Sequence, residues 1–184
     1  MADFVSGPET LSLMLDDLQT LPPVSLETGY TVRTLEAAGE ENYLQVMRVS
    51  LEENADHAWF AENFLLHPAY DPHNQLIIYK DKEPVAAATA WQTRCRGAAV
   101  GLLHMVGVVR EQQGRGLGRR LVLLALHRLQ KRGFSAAMVS TQDDRLPALQ
   151  LYLSLGFRPL CLHRSHKRRW QAVRSRLGNW EANS

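Results

Sequence analysis

Cysteine is scarce in this chain: Cys95 and Cys161 are the only two. They lack metal-ligand spacing, so a cysteine-built metal site is excluded, and a reducing compartment is the simplest reading. The seven histidines are scattered, and none forms a His-x-x-x-His pair with a nearby acid. Charge of one sign is also scarce. A formal net charge of +2 over 184 residues is too small to imply nucleic acid as a partner. Long hydrophobic runs are missing, and the longest apolar stretches fall well short of a membrane span. The first residues lack a basic segment followed by an apolar run, so they do not read as a secretory signal. The expectation is a cytoplasmic protein with neither metal nor membrane as a partner.

What is present is an ordinary globular composition, 45% hydrophobic, long enough for one domain with a real core. Leu11, Leu13, Met14, Leu15, Leu18 and Leu21 recur at helical spacing before Pro22-Pro23, which predicts a short helix over 9–21 in an N-terminal extension, residues 1–29. It reads as packing on the domain or binding a partner. Tyr30 to Leu35 alternates as a first strand. Residues 40–52 and 56–66 read as two helices, with Asp56 able to cap the second. Residues 66–74 read as a loop. Leu76–Tyr79 and Val85–Gln92 form a hairpin around Asp81-Lys82-Glu83, and Ala98–Val109 is a third strand. A helix over 117–132, closed by Gly133, a short strand at 136–140, a helix over 147–155 begun by Pro147, and a last strand from 159 to 165 follow. This order predicts an α/β (α+β) chain with a mixed central sheet and helices on both faces.

Gly114-Arg115-Gly116-Leu117-Gly118 joins the third strand to its helix. Glycines there allow a tight turn and let a ligand approach the backbone, while free amides at a helix start attract an anion. Arg115, Arg119 and Arg120 add positive charge. The turn is not a Walker A loop, because no Gly-Lys-Ser/Thr follows. It is not a dinucleotide fingerprint either, because the Gly-x-Gly-x-x-Gly spacing is missing. A plain strand–helix connection is the bland alternative.

Gln113-Gly114-Arg115-Gly116-Leu117-Gly118 resembles the acetyl-CoA signature Gln/Arg-x-x-Gly-x-Gly/Ala of the GCN5-related N-acetyltransferases. Ala148 to Phe157 resembles their second signature, Ala-x-x-Leu-Tyr-x-x-x-Gly-Phe, at the right separation. The resemblance covers about residues 30–165. It implies a mostly antiparallel central sheet with a splayed parallel pair, and an acetyl-CoA-binding domain over 30–166. The strands at Val106 and Ala136 must then diverge. Main-chain groups of Val106 and Val108 would pair with the pantetheine arm. The amides of Gly114, Arg115, Gly116, Leu117, Gly118 and Arg119 would hold the pyrophosphate, with Gln113 opening the motif. Tyr152 would face the CoA sulfur as general acid. Arg145 stands where many members carry a cofactor-contacting Asn. It is open to binding phosphate, binding an acidic acceptor, or pairing with Asp143 or Asp144. Members often dimerise, so a homodimer is compatible with the resemblance.

Acetyl transfer to an amine needs a neutral amine, a polarised thioester carbonyl, a proton for the leaving thiolate, and two reactants held together. A phenol is a donor near neutral pH, which suits Tyr152. His104 is the leading base candidate, because it precedes Val106 by two residues and strand alternation would put both side chains on one face. A structural histidine is the alternative. Glu111 is a weaker base candidate, and Trp91 could line an acceptor groove or fill the core. Arg164, His166, Lys167, Arg168, Arg169, Arg174 and Arg176 surround Trp170, Val173 and Leu177, which predicts a basic, amphipathic helix in a tail over 167–184. The expected activity is acetyl-CoA-dependent N-acetylation of a small-molecule or peptide amine by direct attack. A non-catalytic acetyl-CoA-binding module, O-acetylation and longer acyl transfer are the alternatives.

Overall fold

The computed structural model describes residues 10–178. One sheet contains β1 (Leu11–Leu15), β2 (Tyr30–Thr34), β3 (Gln75–Lys80), β4 (Glu83–Cys95), β5 (Ala98–Val108), β6 (Ala137–Thr141) and β7 (Arg158–Leu160). Their spatial order is β2-β3-β4-β5-β6-β1-β7. All neighbours are antiparallel except β5 and β6. The helices are α1 (Leu35–Ala38), α2 (Glu40–Ser50), α3 (His57–Phe60), α4 (Leu117–Lys131), α5 (Leu146–Ser154) and α6 (His166–Leu177).

Strand alternation divides the core into two layers. Leu76, Ile78, Ala86, Ala88, Leu103 and Val139 meet α4, α5 and α6 on one face. Ile77, Tyr79, Ala87, Trp91, Leu102 and Met138 meet α2 and α3 on the other. The strand interiors read as nearly continuous apolar runs because both faces are covered.

The N-terminal region corrects the sequence expectation. Leu11–Leu15 is a strand, not a helix, and it lies inside the sheet, between β6 and β7. Leu13 opposes Val139 on one side and Pro159 on the other. The same leucines satisfy both periods: Leu11, Leu13 and Leu15 share the α4 face, whereas Met14 turns to the opposite layer. Two open ladders then decide the outcome, because an inserted strand satisfies both. Residues 11–15 are therefore part of the sheet and not an extension outside it.

Smaller differences follow the same logic. Asp56 caps α3, accepting from Trp59 N–H at 2.8 Å. The helix over 56–66 is split, though, with a single π-helical turn over Ala61–Leu65 after α3. The last strand stops at Leu160 and α6 begins at His166. That helix is amphipathic as expected, with Trp170 and Val173 buried.

Candidate active site

The pairing of β5 with β6 is confined to Gly101–Leu103 against Ala137–Val139. Beyond it β5 runs on to Val108 beside β4 alone, and β6 runs on to Thr141 beside β1. The expected splay is therefore present. A bulge sharpens it. Thr89 opposes His104 and Ala87 opposes Gly107, so Met105 and Val106 together face the single residue Ala88. Met105 takes a left-handed conformation, φ 48°. Such a bulge bends a strand and reverses its side-chain parity.

That reversal corrects the placement of His104. Its ring lies 6.0 Å from Phe64, on the α2–α3 face. Val106 packs on the α4–α5 face. The two side chains do not share a face. They still meet one space, because a cavity of about 200 Å³ opens in the splay. His104, Val106, Gln142, Arg145 and Tyr152 are in its wall, together with Leu51 and Glu52 from the end of α2. Glu111 sits outside it, in a 3-10 turn over Arg110–Gln112.

Burial sets the protonation states of the two candidate catalytic groups. Tyr152 is 5% exposed. Burial pushes its phenol up to about 12, with Arg145 opposing, so it stays protonated at neutral pH. Burial pushes the His104 imidazole down to about 4, so it is neutral but a weak base. Arg145 caps α5 with its carbonyl, which accepts from Ala148 and Leu149 N–H at 3.0 Å each. The carboxylate of Asp143 pairs instead with Arg169 of α6, whose Nε donates at 2.8 Å. That pair holds the Asp143 carboxyl below the usual range. The loop carrying Gln142 and Arg145 is thus tied to α6.

The glycine turn leads into α4. Gly114 and Gly116 both have φ 73°, a conformation that favours glycine, and nothing would meet a Cβ at Gly114. The first helical bond runs from Arg120 N–H to Gly116 O at 3.3 Å. Leu117, Gly118 and Arg119 amides therefore sit in the open first turn, as an anion requires. Gly118 is helical, and an added Cβ would point toward Leu151 and Val108 in ordinary contact. Gln113 braces the turn, its Nε2 donating to Val108 O at 3.0 Å. Arg119 ties α4 to α5 through Ser154 Oγ at 3.1 Å, and Arg120 pairs with Glu27. Arg115 is exposed beside the turn, its carbonyl accepting from Arg120 Nη1 at 3.2 Å.

Trp91 is buried, with its ring 5.7 Å from Phe64 and 5.1 Å from His67, which makes it core. Cys95 and Cys161 are free thiols. Among the described residues no cluster of three or more His, Cys, Asp and Glu side chains could hold a metal ion. No helix among them is long and apolar enough to cross a membrane. Glu52, Gln142 and Thr10 in the cavity wall had no signal in the sequence, since only the meeting of α2, β1 and the β6–α5 loop brings them together.

The residues present fit acetyl-CoA. A helix start with open amides leads along Val108 and Val106 into a strand gap that ends at a protonated phenol. Comparison with known proteins agrees. A mycothiol acetyltransferase from Thermomonospora curvata is 35% identical over 144 residues, 74% of this chain and 47% of that protein. The chain spans about half the length of the curated relatives it matches. Among solved structures, a GCN5-related N-acetyltransferase from Sphaerobacter thermophilus aligns over 83% of this chain and 49% of its own, with TM-score 0.65 at 20% identity. The ribosomal-protein-S18-alanine N-acetyltransferase of Escherichia coli aligns over 70% of this chain and 77% of its own, with TM-score 0.55 at 22% identity. The family model described as the acetyltransferase (GNAT) family matches residues 40–157, more than half of the sequence, and spans both the glycine turn and Tyr152. With the splayed pair and the turn in place, this chain belongs to the GNAT acetyltransferase family.

Proposed function

We propose that this chain catalyses acetyl-CoA-dependent N-acetylation of a primary amine by direct attack in a ternary complex. The single observation that carries the reading is Tyr152, a buried and protonated phenol at the end of the splayed gap. Bound acetyl-CoA would supply the thioester carbonyl that the amine attacks. The amides of Gly114 to Arg119, with Gln113 bracing them, orient the phosphates. Backbone groups of Val106 and Val108 hold the arm, and an N–H on this bulged strand polarises the carbonyl. Arg145 adds positive charge at the cavity wall beside Tyr152. Tyr152 donates its proton where the thiolate leaves. His104, neutral at pH 7, accepts the amine's proton directly or through water.

The test is release of free thiol from acetyl-CoA with a panel of small-molecule and peptide amines. The relatives named as mycothiol acetyltransferases support starting with small molecules. Acceptor-dependent release is expected. Tyr152→Phe should lower kcat by about 100-fold while acetyl-CoA still binds, the loss typical of one general acid. Tight acetyl-CoA binding without release by any acceptor would instead support a binding module.

A further inference from the structure

The walls of the splayed cavity differ in charge, and the difference bears on the acceptor. Arg145 lines the cavity near Tyr152, and Arg115, Arg119 and Arg120 lie outside it at the glycine turn. Among the described residues lining the cavity Glu52 is the one carboxylate, and it comes from the end of α2, on the other face of the sheet from Tyr152. Its position follows from packing. Gly107 has no side chain where an added Cβ would lie inside Ser50 Oγ and 3.2 Å from Met47 Cε. The end of α2 can therefore press onto β5 and deliver Leu51 and Glu52 to the cavity rim.

The helix end reinforces the carboxylate. Leu51 and Glu52 N–H both donate to Met47 O, at 2.9 and 3.0 Å, closing α2 beside the opening. The last carbonyls of a helix carry a partial negative charge, so the rim attracts a cation on two independent grounds. His104, on the same α2–α3 face of the cavity, is neutral and does not repel it.

We infer that Glu52, with the carbonyl end of α2, receives the acceptor as an alkylammonium ion, so the enzyme selects aliphatic amines over amines that are neutral in water. The inference rests on the N-acetyltransferase reading above. Docking the ion before deprotonation raises its local concentration at the reactive carbon. Glu52 is thus a specificity residue for the acceptor, on the face away from the cofactor.

The experiment compares a primary alkylamine with an aromatic amine at pH 7.5, where only the first is charged. It measures KM for each with the unaltered chain, Glu52→Gln and Glu52→Asp. The expected result is a rise of about tenfold in the ratio of the alkylamine KM to the aromatic amine KM for Glu52→Gln, about 1.4 kcal/mol. Glu52→Asp should keep most of the preference. A ratio that stays within twofold for Glu52→Gln overturns the inference. Calorimetric titration of the alkylammonium into CoA-saturated protein makes the same comparison without turnover. Equal affinity for the unaltered chain and Glu52→Gln overturns it there too. If no amine turns over yet the alkylammonium binds through Glu52, the transferase reading fails, and with it the acceptor role, while the ammonium subsite at Glu52 is upheld.

Discussion

At the residue scale, the informative pair is Tyr152 and His104. Both line one cavity and burial moves both, in opposite directions, away from titration at neutral pH. For His104 the sign is definite. Its folded value is about 4, below the unfolded reference of about 6.5. Between those values the unfolded chain binds the extra proton, so stability falls as pH drops from 6.5 to 4 and levels off below. Chemical denaturation across that window should show His104→Gln with a shallower loss than the unaltered chain. The activity profile carries a matching expectation. A limb owned by His104 falls near pH 4, and a limb near 6.5 that survives His104→Gln assigns the base elsewhere.

At the element scale, β5 does several jobs in one strand. It pairs with β6 over three residues, then bulges at Met105, then turns through the glycines into α4. Gly107 marks the place where α2 closes on it. Gly107→Ala should destabilise the fold by about 1–3 kcal/mol by overpacking, and should raise the acceptor KM as the end of α2 shifts. Ser50→Gly in the same chain removes the colliding atoms and should restore most of the loss. Thermal melts and initial rates on the single and double variants check both parts. The β6–α5 loop is secured from the other side, through Asp143 and Arg169, which explains why a basic helix at the end of the chain lies against the domain.

At the scale of the whole molecule, the sheet is closed by its first strand. β1 joins β6 to β7, so the earliest described residues complete an assembly whose other members come from the last third of the chain. Leu13 is fully buried between those ladders. Leu13→Ala should cost about 2–5 kcal/mol, as for other buried leucines. A chain beginning at residue 17 should lose its single cooperative unfolding transition, since two strand edges would be left open. Calorimetry on both proteins checks this.

The sequence by itself determined the elements whose signals are local. Tyr30–Thr34, the hairpin of β3 and β4, and the helices after the glycine turn and after Arg145 follow from periodicity, turn residues and caps. Gln113 to Gly118 and Ala148 to Phe157 were legible as motifs through their resemblance to the two family signatures, each of which is a set of particular residue types at short spacing. Tertiary structure decided the rest. The leucines of β1 fit either a helix or a strand, and two unpaired ladders made them a strand. The bulge at Met105 put His104 and Val106 on opposite faces, which alternation along an isolated strand cannot reveal. Glu52 has no local signature, since its place in the site depends on a glycine 55 positions away that lets one helix reach the sheet. Local chemistry is written in neighbouring residues, while charge facing a cavity depends on elements that meet only after the chain has folded.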